Sequence, residues 1–102
     1  MSEVGKMVMI AYNEAVDAEV MDALSDSCVM NNYTKIPGVF GKGAHSGTHL
    51  GDDIWPGRNN LLLVSCSARE AQTLFSCIKQ LRAKLGAEGV KAFVLPVEAV
   101  TD

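Results

Sequence analysis

The residues best suited to chemistry lie together in one glycine-rich stretch, between positions 38 and 60. It holds two histidines four positions apart, His45 and His49, followed by Asp52 and Asp53. Imidazole and carboxylate groups are ligands for zinc and other transition metals. The glycines at 43, 47 and 51 argue against a helix that would place both histidines on one face. The stretch offers a candidate metal site at His45, His49 and Asp52, with two solvated histidines in a polar loop as the alternative.

The same stretch offers an anion site. Gly41, Lys42 and Gly43 combine backbone amides with an ammonium group, which together can hold a phosphate. Their spacing matches neither a Walker nor a Rossmann motif, so glycines that only permit turns are the alternative. Trp55 near the end of the stretch either packs the loop base onto a subunit interface or contacts a partner or an adenine ring.

Composition excludes several classes of protein. With 102 residues, 48% of them hydrophobic, the chain is predicted to form one domain, residues 1–102. The net charge of −3 argues against nucleic-acid binding. No apolar run is long enough to span a membrane, and the N-terminus does not resemble a signal peptide. Three cysteines without metal-site spacing favour small core residues in a reduced, cytoplasmic protein.

Hydrophobic periodicity predicts six secondary-structure elements, four strands and two helices, which flank and position the glycine-rich stretch. Strands are predicted at 6–12, from Tyr33 onward, at 60–66 and at 91–100, and helices at 14–28 and 68–85. Asn13 is a predicted N-cap, and Ser67 with Glu70 forms a predicted capping box. Gly86 ends the second helix.

This order predicts an α+β, ferredoxin-like βαββαβ fold. Four antiparallel strands carry two helices on one face, with a long loop between strands 2 and 3. Strands 1 and 3 are the most apolar and are predicted to be central. Strands 2 and 4 contain Pro37 and Pro96, which favour outer positions or bulges. Because the central strands are apolar on both sides, we expect a homo-oligomer whose uncovered sheet faces pack inward.

Two segments resemble the PII signalling-protein superfamily. They are Thr34–Gly43, TKIPGVFGKG, at the start of the long loop, and Phe93–Glu98, FVLPVE, in the last strand. The resemblance covers nearly the whole chain. It implies a homotrimer that binds an adenine nucleotide (ATP, ADP or AMP) or another small anion between subunits. It also implies a mobile T-loop at 41–57 that regulates a protein partner, such as a transporter or an enzyme.

The resemblance and the local chemistry together mark two sets of residues. The expected ligand-binding residues are glycines and cations in and around the long loop and the loop before the last strand: Lys35, Gly38, Gly41, Lys42, Gly43, Arg58, Gly89 and Lys91. The expected partner-binding residues lie further along the long loop: Ala44, Ser46, Gly47, Thr48, Leu50, Ile54 and Trp55.

The chain also departs from the PII pattern. In the region of the second PII phosphate loop, Leu85–Lys91 keeps two glycines and the lysine but lacks the Thr and Gly-Asp-Gly. Tyr33 lies ahead of the loop, so the tyrosine that PII proteins modify has no counterpart. These departures indicate a divergent member without the standard ATP loop.

The sequence therefore predicts a non-enzymatic PII-like regulator. No general base, nucleophile and oxyanion donor can be combined from its residues. The alternative is a divalent-metal-binding or metal-tolerance protein that uses His45 and His49.

Overall fold

The structure, a computed structural model, describes residues 5–26, 32–40, 58–86 and 89–101. Its elements in chain order are β1 (Lys6–Asn13), a 3-10 turn (Glu14–Val16), α1 (Asp17–Asp26), β2 (Thr34–Phe40), β3 (Arg58–Cys66), α2 (Ala68–Leu85) and β4 (Val90–Pro96). The predicted βαββαβ order is confirmed. The predicted long connection, 41–57, lies outside the described residues.

The four strands form one antiparallel sheet in the order β2-β3-β1-β4. Strands 1 and 3 are central, as predicted from their apolar composition. The prolines lie on the outer strands, where a missing amide proton disturbs the ladder least. Around Pro37 the pairing of β2 with β3 shifts register between Ile36 and Val39, so the predicted disturbance is also confirmed.

One sheet face and both helices enclose the hydrophobic core. Alternate residues of the central strands are buried against apolar positions of α1 and α2, which explains the strand and helix periodicities. The core consists of Val8, Ile10, Tyr12, Val20, Leu24, Leu62, Val64, Cys66, Ala71, Leu74, Ile78, Leu81 and Val90. Cys66 belongs to this core, as predicted, and burial raises the pKa of its thiol.

The predicted helix caps are present. The Asn13 side chain accepts a hydrogen bond from the Ala15 amide at 2.8 Å, and it caps the 3-10 turn that precedes α1. Ser67 and Glu70 form the reciprocal capping box of α2, at 3.1 and 2.9 Å. Gly86 ends α2 with a φ of 95°. The predicted end of the first helix at residue 28 lies outside the described residues.

The predicted extent of the last strand was wrong. The strand ends at Pro96 and does not continue to Val100. Pro96 pairs with Lys6, the first residue of β1, so β4 has no strand residue to pair with beyond that point. Beyond the strand, the Val97 amide donates a hydrogen bond to the Gly5 carbonyl at 3.1 Å.

The sheet face away from the helices is also apolar. The register places Phe93 beside Met9, and Met9 beside Leu63, in one row across three strands. Leu95 lies beside Met7, and Ile36 beside Leu61. On the outer strands, Ile36, Phe93 and Leu95 are 40%, 46% and 39% exposed. We call this surface the open face.

Candidate functional site

Four polar side chains meet on the helix side of the sheet, at the end of β1 and the start of α1. Three donors converge on a single oxygen, Asp17 Oδ1. The Tyr12 hydroxyl lies 2.6 Å from it, Lys35 Nζ 2.8 Å and Asn60 Nδ2 3.2 Å. Asp17 therefore connects the start of α1 to three different strands. We call Tyr12, Asp17, Lys35 and Asn60 the Asp17 cluster.

Strand alternation explains why these side chains meet. Tyr12 and Asn60 are a cross-strand pair, and both belong to the set of strand residues that faces the helices. They lie at the same end of the sheet, next to the buried Ile10 and Leu62, and are 2% and 6% exposed. Lys35 enters from β2, where it pairs with Leu62. The carboxylate of Asp17, the first residue of α1, accepts hydrogen bonds from these polar side chains at the margin of the core.

The protonation states of the cluster follow from these contacts. Hydrogen bonds from Lys35 and then Tyr12 hold the pKa of the Asp17 carboxyl below its usual value. Burial, followed by the hydrogen bond to Asp17, raises the pKa of the Tyr12 hydroxyl above its usual value. At neutral pH the carboxylate is charged, the phenol is neutral, and the charge of Lys35 is offset by that of Asp17.

The cluster extends to the bulge in β2. The Gly38 amide donates to Asn60 Oδ1 at 3.3 Å, while the same side chain donates through Nδ2 to Asp17. Gly38 has a φ of 67°, in the left-handed region that glycine adopts without strain. Asn60 therefore links Asp17 to the part of β2 that leads into residue 41.

The structure divides the described ligand candidates between the two edges of the sheet. Lys35 and Gly38 belong to β2, and the exposed Arg58 pairs with Phe40 at the end of the same strand. Gly89 and Lys91 lie at the other edge. The Lys91 ammonium lies 5.8 Å from the centre of the Phe93 ring.

The outer strands β2 and β4 are three strand spacings apart, about 14 Å. Lys35 is on the helix side of the sheet, whereas Lys91 pairs with Ala11 and is on the open face. One chain alone therefore does not bring Lys35 and Lys91 into a single site.

The remaining predicted site residues lie outside the described part of the chain. These are the ligand candidates Gly41, Lys42 and Gly43, the partner candidates Ala44, Ser46, Gly47, Thr48, Leu50, Ile54 and Trp55, and the metal candidates His45, His49 and Asp52. Within the ranges that the structure describes, no group of three or more His, Cys, Asp or Glu residues could hold a metal ion. None of the described helices is long and apolar enough to cross a membrane.

Sequence reasoning missed three of the four residues in the Asp17 cluster. The sequence places Asp17 only within the first predicted helix, and Tyr12 and Asn60 only within predicted strands. A signal was present, because Tyr12 and Asn60 both place polar atoms at the ends of otherwise apolar strands. Their pairing depends on the register of β1 with β3, which the sequence does not state.

A second surface lies along the outer strand β4. Here a groove between α2 and β4 is lined by apolar side chains that include Phe75, Ala92 and Val94. Lys6 and Lys79 supply positive charge to the same groove. Phe75 and Val94 are 38% and 41% exposed. We call this surface the β4 groove.

Comparison with known proteins identifies the architecture. No protein-family model and no curated protein sequence matches the chain. Among solved structures, CPII from Thiomonas intermedia K12, a nitrogen regulatory PII-like protein bound to ADP, AMP and bicarbonate, has a TM-score of 0.67 at 18% identity. The match covers 91% of this chain and 85% of CPII.

Two further structures have the same arrangement. A PII-like protein from Thermus thermophilus has a TM-score of 0.60 at 20% identity, over 91% of this chain and 86% of that one. A divalent cation tolerance protein from the same organism has a TM-score of 0.63 at 17% identity, over 95% of this chain and 87% of that one. The resemblance seen in TKIPGVFGKG and FVLPVE is thus confirmed in the fold: this chain has the fold of the PII-like signalling proteins.

Proposed function

We propose that this protein is a cytoplasmic, non-enzymatic PII-like regulator that forms a trimer. It binds a small anion or an adenine nucleotide between subunits, and it regulates a protein partner, a transporter or an enzyme, through residues 41–57. The main support is the Asp17 cluster. This cluster contains a cation, Lys35, on the strand that leads into 41–57. CPII, which has a similar fold, binds ADP, AMP and bicarbonate.

The open face supports an oligomer. Its central row, Leu63, Met9 and Phe93, is apolar across three neighbouring strands. Monomers rarely expose large contiguous apolar surfaces. Taking such a side chain from full exposure to full burial is favourable by about 1.5–3 kcal/mol, and these partly buried side chains gain a fraction of that on assembly. A trimer with inward-facing sheets covers this surface.

The division of the ligand candidates supports a site between subunits. Lys35 and Lys91 lie at opposite edges and on opposite faces of the sheet of one chain. A single anion that contacts both lysines therefore requires two chains. This arrangement makes ligand affinity depend on the trimer.

The link between ligand and partner follows from the position of Gly38. An anion at Lys35 alters the contacts of Asp17, and Asp17 is joined through Asn60 to the Gly38 amide. Gly38 lies three residues before 41–57. Ordering or releasing a segment by a ligand contact is a recognised switching mechanism.

Calorimetry tests the ligand. ADP, AMP and bicarbonate are titrated separately into the wild-type protein and into Lys35→Gln and Lys91→Gln. We expect binding to the wild type and at least tenfold weaker binding to each variant, because each loses a contact to a charged ligand. Lys84→Gln, on the exposed surface of α2, is the control with the same loss of charge. Absence of binding to the wild type at millimolar concentrations would contradict the proposed ligands.

Light scattering coupled to size exclusion tests the assembly. We expect the mass of three chains, about 33 kDa from a chain mass of 10.9 kDa. A monomer at micromolar concentration would contradict the trimer.

A divalent-metal-binding protein is the second candidate. It is favoured by the structural likeness to the divalent cation tolerance protein and by the sequence pattern of His45, His49 and Asp52. Titration of zinc, copper and nickel into the wild type and into a His45→Ala/His49→Ala variant tests it. Equal affinities in the two proteins would eliminate this candidate.

A further inference from the structure

Lys35, the cation at the centre of the proposed anion site, already has a negatively charged partner. The Lys35 ammonium lies 2.8 Å from Asp17 Oδ1, and the two side chains are 29% and 38% exposed. An incoming anion therefore meets a neutral ion pair and not a free lysine. Its affinity depends on how it interacts with Asp17 as well as with Lys35.

The geometry of Asp17 determines which anions are favoured. The three donors of the cluster all reach the Oδ1 atom. They hold the carboxylate in place, while more than a third of the side chain remains accessible. An oxyanion beside Lys35 is repelled by this carboxylate, and a hydroxyl group on the oxyanion offsets that repulsion by donating a hydrogen bond to the carboxylate. Hydrogen bonds to a charged acceptor are about twice as strong as neutral ones.

We propose that Asp17 is the specificity-determining residue of the Lys35 site and selects small oxyanions that carry a hydroxyl group. Hydrogencarbonate and hydrogenphosphate satisfy both members of the ion pair, because each has oxygen atoms for Lys35 and a proton for Asp17. Nitrate and sulfate satisfy Lys35 alone. This inference rests on the proposed function, since it assumes that Lys35 contacts the ligand.

Matched anions test this selectivity. Hydrogencarbonate and nitrate are both planar and singly charged, and hydrogenphosphate and sulfate are both tetrahedral and doubly charged at about pH 8. Affinities are measured by calorimetry with these four salts and the full-length protein. We expect the wild type to prefer the hydroxyl-bearing member of at least one pair by about tenfold, the effect of one charge-assisted hydrogen bond.

Asp17→Asn is the informative variant. It keeps the shape of the side chain and an oxygen that accepts from Tyr12, Lys35 and Asn60, but it replaces the negative charge with an amide that donates. We expect nitrate or sulfate to bind Asp17→Asn about tenfold more tightly than the wild type, so that the preference disappears. Asp22→Asn removes the same charge from an exposed position of α1 and is the control.

The outcomes separate the inference from the proposed function. The role of Asp17 is overturned if Asp17→Asn and Asp22→Asn both keep the wild-type ratio of affinities for the two anions of each pair. It is also overturned if the wild type binds neither anion of either pair. The proposed function would still stand if the wild type binds ADP and the Lys35→Gln substitution weakens that binding. If instead Lys35→Gln binds every anion and ADP as the wild type does, Lys35 is not a ligand residue and both fail. Loss of selectivity only in Asp17→Asn supports the inference.

Discussion

The Asp17 cluster beside β2 and the apolar surfaces around β4 are opposite in kind. At the β2 edge, polar side chains from three strands converge on one carboxylate oxygen at the start of α1, over distances of 2.6 to 3.2 Å. At the β4 edge, the β4 groove and the open face expose apolar side chains, among them Phe93, Val94 and Leu95. The polar groups of the Asp17 cluster, at the β2 edge, are satisfied within one chain, whereas the β4 groove and the open face, which includes Ile36 of β2, are apolar and uncovered within it.

This difference separates two sources of stability. Directional contacts at the Asp17 cluster stabilise the conformation of a single chain, and their loss leaves buried polar groups without partners. Apolar burial at the open face is non-directional and becomes available only when a second surface covers it. Substitutions in the Asp17 cluster should therefore change the free energy of unfolding of the chain, and substitutions on the open face should change its association.

The largest expected effect is on association. Met9→Lys places a charge at the centre of the open face, on the central strand β1, where Met9 is half-buried in the single chain. If that face is covered in a trimer, the lysine is desolvated. We expect at least a hundredfold weaker association, about 3 kcal/mol, and a shift toward monomer in light scattering.

Gln80→Lys adds the same charge to an exposed position of α2 and should leave the mass unchanged. A trimer that survives Met9→Lys would show that the open face is not the subunit interface.

The next effect is on the stability of the chain. Asp17→Ala removes the acceptor shared by the buried Tyr12 hydroxyl and the buried Asn60 amide. We expect the free energy of unfolding in urea to fall by about 2 kcal/mol. Asp22→Ala, exposed on the same helix, should change it by less than about 0.5 kcal/mol. Equal effects of the two substitutions would mean that the cluster contributes little to stability.

A smaller effect is expected at the bulge in β2. Gly38→Ala meets no atom within 4 Å of the added Cβ, so its cost comes only from the left-handed φ of 67°. We expect a loss of about 1 kcal/mol in the free energy of unfolding. Gly5→Ala also meets no atom within 4 Å and serves as a matched control. Equal stability of the two variants would argue that β2 relaxes its bulge when a side chain is added.

The smallest effect is a pH dependence of the Asp17 cluster. Because the pKa of Asp17 is lower in the folded protein than in the unfolded chain, its carboxylate stabilises the fold above about pH 4. This contribution is lost as the pH falls through the lowered pKa. Since Asp17 is more than a third exposed, the difference in unfolding free energy between wild type and Asp17→Asn should be below about 1 kcal/mol at pH 7.

Urea denaturation at a series of pH values between neutral and about pH 3 measures this difference. It should shrink toward the acidic end of the series. A difference that does not change with pH would indicate that the hydrogen-bonding shape of Asp17, and not its charge, stabilises the cluster.

Local patterns in the sequence predicted most of the fold because their physical causes are local. The capping box at Ser67 and Glu70, the helix stop at Gly86 and the alternation in β3 each depend on neighbouring residues. The end of β4 was predicted four residues too far. Its apolar composition continues to Val100, but the strand needs a partner and β1 provides none before Lys6.

The candidate site was much less predictable. Lys35 and Gly38 were identified from their chemistry and from the resemblance to PII proteins. Asp17 is 18 residues from Lys35 and 43 from Asn60, and nothing local connects them. The carboxylate that neutralises Lys35 could only be found once the strands were in register.

The sequence by itself determined the order of the elements, the central and outer strands and the apolar character of both sheet faces. These follow from periodicity, proline positions and caps, which act over a few residues. Only the tertiary structure decided that Tyr12, Lys35 and Asn60 donate to one oxygen of Asp17, and that Lys35 and Lys91 lie at opposite edges of the sheet. The reason is physical: hydrogen bonds and ion pairs depend on distances of a few ångströms, and strand pairing sets those distances between residues far apart in the chain.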